Sequence, residues 1–131
     1  INDKPLTIVG NGRQTRDFTY VTDVANAFYL AACSKIFHDI FNVGTGRPTS
    51  VNYVAKKLGG RKVFIPKRPG EPDKSQADIK KIKKILKWKP KINIEEGINL
   101  LLKNINDWKL APVWTPKKIN VKTKKWFEYL K

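Results

Sequence analysis

Glycine and proline interrupt this chain at short intervals, so its strands can only be short. Apolar segments suited to strands end at Gly10-Asn11-Gly12, at Gly44-Thr45-Gly46 and at Pro66. Such clusters mark turns, because glycine reaches positive φ and proline cannot donate to a sheet. The first 66 residues therefore predict four strands, over 6–9, 17–21, 40–43 and 63–65.

Apolar residues recur at helical spacing between these strands and after them. Capping residues precede most of the periodic segments. The predicted caps and helices are Thr22 or Asp23 for 22–33, Ser50 for 51–58, Asp78 for a helix ended by Trp88 and Pro90, Asn93 with Glu96 for 94–109, and Thr115 for a last helix from Pro116. Short strands early and amphipathic helices late predict an α+β arrangement within the α/β class.

Length and composition exclude several classes of protein. The 131 residues, 40% apolar and 11% aromatic, suit one globular domain, and no apolar run is long enough to span a bilayer. The single Cys33 and the single His38 exclude a disulfide framework and leave little for a metal site. We therefore expect a reducing, cytoplasmic setting. The chain begins at Ile1 and contains no Met, so we expect a piece of a longer protein.

The net charge of +16 favours anionic partners. Lysine supplies 22 of the 27 basic residues, and 13 Ile and 10 Asn accompany it, which indicates a compositional bias. We therefore expect most lysines on solvated helix faces and no membrane partner. The alternative is a nucleic-acid-binding module that uses the lysine-rich helices 79–89 and 116–131, with Trp88 and Trp126 stacking on bases.

Two short motifs are weak matches to cofactor or catalytic sites. Gly10-x-Gly12 has Thr15 in place of the third glycine of a dinucleotide loop, and a predicted strand follows where a helix should begin. Tyr53 and Lys57 have the spacing of a dehydrogenase Tyr-x-x-x-Lys pair. Tyr53, however, lies among the apolar residues of a short predicted helix, which indicates a packing role. We predict no catalytic, cofactor-binding or metal-binding residue in this chain.

The more informative residues are Arg16, in the segment 15–17, and Arg68 and Glu71 in the stiff loop 66–72. Two guanidinium groups in one cleft suit a diphosphate, because arginine binds oxyanions through a rigid fork. The carboxylate of Glu71 could accept hydrogen bonds from a ribose diol. The alternative is structural, with Arg16 paired to Asp17 or to another acid.

Five segments resemble one family. The sequence GNGRQTRDFTYVTDVA at 10–25, FNVGTG at 41–46, RPGE at 68–71, ADI at 77–79 and LKWKP at 86–90 are similar to motifs of the extended short-chain dehydrogenase/reductases. More narrowly, they resemble the NAD-dependent nucleotide-sugar epimerases and dehydratases of the UDP-glucose 4-epimerase type. The similarity covers about residues 5–110, and Lys87 departs from it, since glycine is usual there.

The resemblance implies roles for individual residues. Arg16 and Arg68 would hold the diphosphate of a nucleotide sugar, Glu71 would bind the ribose hydroxyls, and Phe18 would lie near the nucleotide. In the family, the NAD loop and the catalytic Tyr-x-x-x-Lys belong to an N-terminal half that this chain lacks. The chain alone is therefore expected to be inactive, whereas the whole protein would bind NAD and form a homodimer.

The resemblance also implies a domain arrangement. Residues 1–131 would be the C-terminal substrate-binding portion, and residues 22–46 would pack against the absent N-terminal Rossmann domain. The isolated chain should then expose an apolar surface and self-associate. Three alternatives stay open: a nucleotide-sugar 4,6-dehydratase, a UDP-glucuronate decarboxylase, and a free-standing nucleotide-sugar-binding protein.

Overall fold

The computed structural model describes residues 4–129, which form two small sheets and five α-helices. In chain order the elements are β1 (Leu6–Val9), β2 (Thr15–Arg16), α1 (Val21–Ala32), β3 (Thr49–Ser50), α2 (Val51–Leu58), β4 (Lys62–Ile65), α3 (Lys80–Ile85), α4 (Ile94–Lys103), a 3-10 helix (Ile105–Trp108) and α5 (Pro116–Tyr129). This confirms the predicted mixture of short strands followed by helices.

The two sheets differ in direction. β1 and β4 are parallel, with Leu6 opposite Lys62 and Val9 opposite Ile65, and α2 lies in the crossover between them. β2 and β3 are antiparallel, with Arg16 opposite Thr49. Because β3 leads directly into α2, the pairing of β2 with β3 holds the segment around Arg16 beside the start of α2.

Three of the predicted caps are confirmed. The Ser50 side chain accepts a hydrogen bond from the Tyr53 amide, and Asn93 Oδ1 accepts one from the Glu96 amide at 2.9 Å. Thr115 Oγ1 accepts from the Lys118 amide at 3.4 Å, and α5 begins at Pro116 as predicted. Each bond satisfies one of the amides that a helix start leaves without a partner.

Two predicted strands are wrong. Residues 17–20 form no strand, since the pairing of β2 ends at Arg16 and the Asp17 side chain takes hydrogen bonds from other segments. Residues 40–43, which lie in the described part of the chain, also form no strand. An alternating apolar pattern becomes a strand only where another strand supplies a ladder of hydrogen bonds, and none of those described here lies beside 40–43.

The predicted cap of α1 is also wrong. The helix begins at Val21 with Tyr20 at its N-cap, and no side chain caps it. Asp23 is instead buried, and its Oδ2 accepts hydrogen bonds from the amides of Lys91 and Ile92, both at 3.0 Å. The carboxylate therefore ties α1 to the segment before α4.

The helix predicted over 94–109 is shorter than its apolar spacing suggested. α4 ends at Lys103, Asn104 follows as its C-cap, and a 3-10 helix takes the chain to Trp108. Trp108 is 54% exposed, so it does not continue the buried stripe of α4. The last residue of an apolar period is a poor guide to where a helix ends.

The core lies between α1 and α3. Its buried members are Ala27, Ile79, Ile82, Leu86 and Trp88. Trp88 is only 1% exposed, and its indole Nε1 donates to the Asp23 carbonyl at 3.0 Å. This bond satisfies the single polar atom of the largest core side chain, so α1, α3 and the following loop form one packed unit.

The surface is lysine-rich and also exposes large apolar side chains. Every lysine in the described range 4–129 is exposed, as the sequence predicted. Apolar side chains are exposed on α1 and on the segment that follows it, here called the exposed apolar area: Val21, Phe28, Tyr29, Phe37 and Ile40, each at least 66% exposed. Large apolar side chains left in water close together in the sequence are typical of an interaction site.

Candidate functional site

Arg16 holds the loop after β4 against β2. Its Nη2 is 2.8 Å from Oε1 of Glu71, and its Nη1 donates to the Pro72 carbonyl at 2.9 Å. Both charged side chains are about three-quarters shielded from solvent. The sequence left open whether Arg16 faces a ligand or an acid, and in this structure it pairs with an acid, Glu71 and not Asp17.

The backbone reinforces this contact. The Thr15 amide donates to the Asp73 carbonyl at 2.9 Å, and the Ser75 amide donates to the Thr15 carbonyl at 3.2 Å. Thr15 also forms an isolated parallel bridge with Lys74. The loop is thus fixed along the edge of β2, which brings together two of the residues that the sequence had singled out, Arg16 and Glu71.

Arg68 lies in the same loop with an unused donor. Its Nε is buried and has no hydrogen-bond partner among the described residues. The Arg68 carbonyl accepts from the Glu71 amide at 3.4 Å, and Gly70 takes a φ of 69°, so residues 68–71 form a tight turn. A buried guanidinium N–H without an acceptor is unusual and would be satisfied by a ligand oxygen.

Asp17 organises the segments behind Arg16. One carboxylate oxygen accepts from the Thr45 amide and hydroxyl, and the other accepts from the amides of Gly46 and Ala77 at 2.9 and 3.0 Å. Burial raises the pKa of Asp17, but these hydrogen bonds outweigh it and hold the pKa below its ordinary value.

Gly44 makes this arrangement possible, because a Cβ there would lie 2.5 Å from the Ala77 Cβ and 2.7 Å from Asp17 Oδ2. From the sequence, Asp17 was expected only as a partner for Arg16. The Gly44-Thr45-Gly46 turn was the signal that a carboxylate could be bound by backbone amides.

Two clefts flank these residues. A small cleft of about 210 Å³ is lined by Val9, Gly10, Gln14, Lys67, Glu71 and Asp73. Lys67 Nζ is 2.6 Å from Asp73 Oδ1, so this rim carries a surface ion pair. Glu71 is the only member of the predicted site that lines this cleft.

Phe18 lies elsewhere, in the wall of a larger cleft of about 720 Å³. The structure therefore separates Phe18 from Glu71. Of the four residues predicted to bind a nucleotide sugar, it gathers Arg16, Arg68 and Glu71 around one loop.

The surroundings of Tyr53 and Lys57 do not favour a catalytic pair. The Tyr53 hydroxyl donates to Glu95 Oε1, and this hydrogen bond to a carboxylate raises the pKa of Tyr53 above its ordinary value. A tyrosine that acts as a general base needs a lowered pKa. Lys57 Nζ lies 5.5 Å from the centre of the Tyr53 ring, so the two side chains pack on each other as a surface contact.

The family model described as GDP-mannose 4,6 dehydratase matches residues 1–101. The chain belongs to this family. The extended dehydrogenase/reductase motifs identified in the sequence are thereby confirmed as family motifs. Residues 102–131, which include the 3-10 helix and α5, lie beyond the matched range.

Curated relatives of this chain include two sugar-nucleotide 4-epimerases. The chain is 35% identical over 126 residues to a UDP-glucuronate 4-epimerase of Thermodesulfobacterium geofontis, covering 91% of this chain and 38% of that protein. It is 41% identical over 113 residues to a putative UDP-glucose 4-epimerase of Methanocaldococcus jannaschii, covering 82% and 34%. The chain thus spans little more than a third of the curated relatives it matches.

Solved structures show the same similarity. The UDP-glucuronic acid 4-epimerase of Bacillus cereus, in complex with UDP-glucuronic acid and NAD, superposes with a TM-score of 0.74 at 33% identity. The UDP-glucose 4-epimerase of Thermotoga maritima, with UDP-glucose, gives 0.72 at 36% identity. Each match covers 80% of this chain and 36% of the other, which confirms the α/β fold of these enzymes.

Over 4–129, no helix combines the length and the apolar character that crossing a bilayer requires.

Proposed function

We propose that this chain is the nucleotide-sugar-binding part of an NAD-dependent nucleotide-sugar epimerase. The observation that carries the proposal is the loop 68–75, where Arg68 has a buried N–H without an acceptor and Glu71 pairs with Arg16. A diphosphate oxygen would accept the hydrogen bond that the Arg68 Nε–H can donate. The second guanidinium, that of Arg16, contacts the same loop through Glu71 and Pro72.

The contribution of this chain to such a reaction is binding and orientation. Guanidinium groups that hold a diphosphate supply binding energy far from the reacting sugar carbon, and that energy aligns the sugar for the chemical step. Glu71 would accept hydrogen bonds from ribose hydroxyls once a ligand competes for Arg16. The reacting groups belong to parts of the protein outside this chain, so we expect the chain alone to be inactive.

The Gly10-Asn11-Gly12 turn does not fit the pyrophosphate of NAD. Gly10 and Gly12 lead into β2 at Thr15, whereas a dinucleotide loop must lead into a helix whose N-terminus faces the pyrophosphate. We therefore assign NAD to the remainder of the protein and derive no step through it. The whole protein is expected to be a homodimer.

The exposed apolar area supports a second domain. Phe28, Phe37 and Ile40 are at least 71% exposed, and this area begins on α1, whose other side forms the core. We propose that an N-terminal Rossmann domain covers residues 22–46, with 40–43 joining its sheet as a strand. Residues 40–43 pair with no strand among the described residues, which is consistent with that role.

A decarboxylase or a 4,6-dehydratase would use the same binding portion. A UDP-glucuronic acid decarboxylase of Xenopus tropicalis is 30% identical to this chain over 105 residues. The choice among these reactions depends on groups outside this chain. Epimerisation is named first, and the binding role is common to all three reactions.

Calorimetric titration of the chain with UDP-glucose tests the proposal. We expect binding by the wild type and a loss of about 10- to 100-fold in Arg68→Ala, because a charged hydrogen bond contributes about 1.5 to 3 kcal/mol. Arg13→Ala is the matched control, since Arg13 is an exposed arginine of the turn before β2. Equal losses in both variants would contradict the specific role of Arg68.

A short DNA duplex titrated in parallel tests the nucleic-acid alternative. Duplex binding that weakens steeply with salt and is indifferent to Arg68→Ala would favour that alternative. Binding of UDP-glucose alone would exclude it. Absence of both would contradict a binding site formed within this chain.

A further inference from the structure

The larger cleft is strongly cationic. Its walls come from the turn before β3, from α3 and from residues 87–95. Five basic side chains line it: Arg47, Lys83, Lys87, Lys89 and Lys91. The one carboxylate on its wall is Glu95, which already accepts the hydroxyl hydrogen of Tyr53. Cations gathered around one concavity focus a positive potential that attracts anions.

Lys87 is held in this wall at a conformational cost. Its φ is 53°, in the left-handed region that costs a residue with a side chain about 1 to 2 kcal/mol. Glycine would adopt this φ without that cost. Lys87 directly follows Leu86, the C-cap of α3, so its left-handed backbone also ends that helix.

The C-terminal end of α3 does not account for the whole cluster. A lysine in the last turn, such as Lys83, interacts favourably with the helix dipole. Arg47, Lys89 and Lys91 come from other segments, so helix stability does not explain why they face the same cleft. Its volume of about 720 Å³ lies within the range of about 300 to 1,000 Å³ typical of small-molecule sites.

We propose that this cleft binds a small molecule with two or more terminal phosphate groups, which the doubly esterified diphosphate of a nucleotide sugar lacks, at a site separate from that of the nucleotide sugar. Of the four residues predicted to bind the nucleotide sugar, Phe18 lines this cleft, whereas none of the charged residues Arg16, Arg68 and Glu71 does. Lysines suit phosphate as mobile point charges, and several of them match a ligand with charge spread over more than one phosphate. The inference goes beyond the proposed function and does not require it.

Titration of the 131-residue chain with inorganic tripolyphosphate at about 0.15 M ionic strength tests the inference. The double variant Lys83→Ala/Lys89→Ala should weaken binding by about tenfold or more, since each removes one direct phosphate contact. The matched control is Lys80→Ala/Lys84→Ala, which removes two exposed lysines of α3 that do not line the cleft. Thermal melts of all variants establish that they are folded.

Three results would overturn the inference. If the wild-type chain does not bind tripolyphosphate, the cleft is not a phosphate site. Equal loss in the two double variants would mean attraction by net charge alone. Loss in Arg68→Ala but not in Lys83→Ala/Lys89→Ala would place the anion in the nucleotide-sugar site.

Two further arms separate sources of phosphate and keep the two proposals apart. A short DNA duplex that binds more tightly than tripolyphosphate, and still binds Lys83→Ala/Lys89→Ala, would also contradict a small-molecule site. UDP-glucose should bind Lys83→Ala/Lys89→Ala as it binds the wild type. Failure of UDP-glucose binding with retained tripolyphosphate binding would overturn only the proposed function.

Discussion

Single residues carry the strain and the polar ties of this chain. Lys87 occupies a left-handed backbone position directly before the buried Trp88, and Asp17 accepts hydrogen bonds from three amides and one hydroxyl. Asp23 ties α1 to residues 91 and 92 in the same way. In each case one side chain or one φ angle fixes segments that are distant in sequence, so substitutions there should have effects that local propensity does not predict.

Lys87→Gly should stabilise the chain. Glycine reaches a φ of 53° without the clash of a Cβ, and we expect a gain of about 1 kcal/mol after its greater freedom in the unfolded chain is subtracted. Urea unfolding measures it. The control is Lys84→Gly, inside α3, which should lose about 1 kcal/mol. Destabilisation by both would show that φ is not the controlling factor.

Asp17→Asn should destabilise the chain in a pH-dependent way. An amide cannot accept four hydrogen bonds, and a buried donor left unpaired costs about 1 to 3 kcal/mol at neutral pH. The folded pKa of Asp17 is depressed, so the stabilisation is present above the unfolded pKa of about 3.9 and is lost as the pH falls through the folded pKa.

Unfolding of both proteins across acidic pH measures this. The stability gap between wild type and Asp17→Asn should narrow below pH about 4. A gap that stays constant down to the acid limit would contradict the role of the charged carboxylate.

At the scale of elements, local signals were reliable where they were self-contained. Ser50 and Asn93 each sit one residue before a helix and cap it, and β1 and β4 end where Gly10 and Pro66 stop them. The strand predictions that failed were those at 17–21 and 40–43. Both sequences suit a strand, but neither has a pairing strand among the described residues. Strand formation depends on a partner, which a local pattern does not contain.

Ser50→Ala should destabilise α2 by about 1 kcal/mol, because the hydroxyl satisfies the Tyr53 amide at the helix start. Thermal or urea unfolding measures the loss. Thr22→Ala is the matched control, since Thr22 is exposed, lies inside α1 and caps nothing. It should change stability by less than about 0.5 kcal/mol. A larger loss at Thr22 than at Ser50 would contradict the assigned helix starts.

At the scale of the whole molecule, the exposed apolar area should make the isolated chain self-associate. The area formed by Val21, Phe28, Tyr29, Phe37 and Ile40 consists of side chains that are 66% to 83% exposed, and burying it between copies is favourable by about 25 cal/mol per Å². Phe28→Glu should reduce the association, as measured by sedimentation velocity over a range of concentrations.

Val121→Glu is the control for this prediction, because Val121 is 68% exposed on α5, close to the 71% of Phe28 but on another element. It should leave association unchanged. A chain that is monomeric at all concentrations and melts in one sharp transition would contradict the prediction.

The family, the mixture of short strands and helices, most helix starts and the solvated lysine faces could be predicted from the sequence. These features depend on turn residues, caps and periodicity, which are local. Chain packing alone establishes that Arg16 pairs with Glu71, that Phe18 lines a different cleft from Glu71, and that Asp17 and Asp23 bind distant amides. The cationic cleft also depends on packing, because Arg47 and Lys89 are far apart in the sequence and line one cleft only in the folded chain. A charge or a carboxylate in a sequence has many possible partners, and chain packing selects among them.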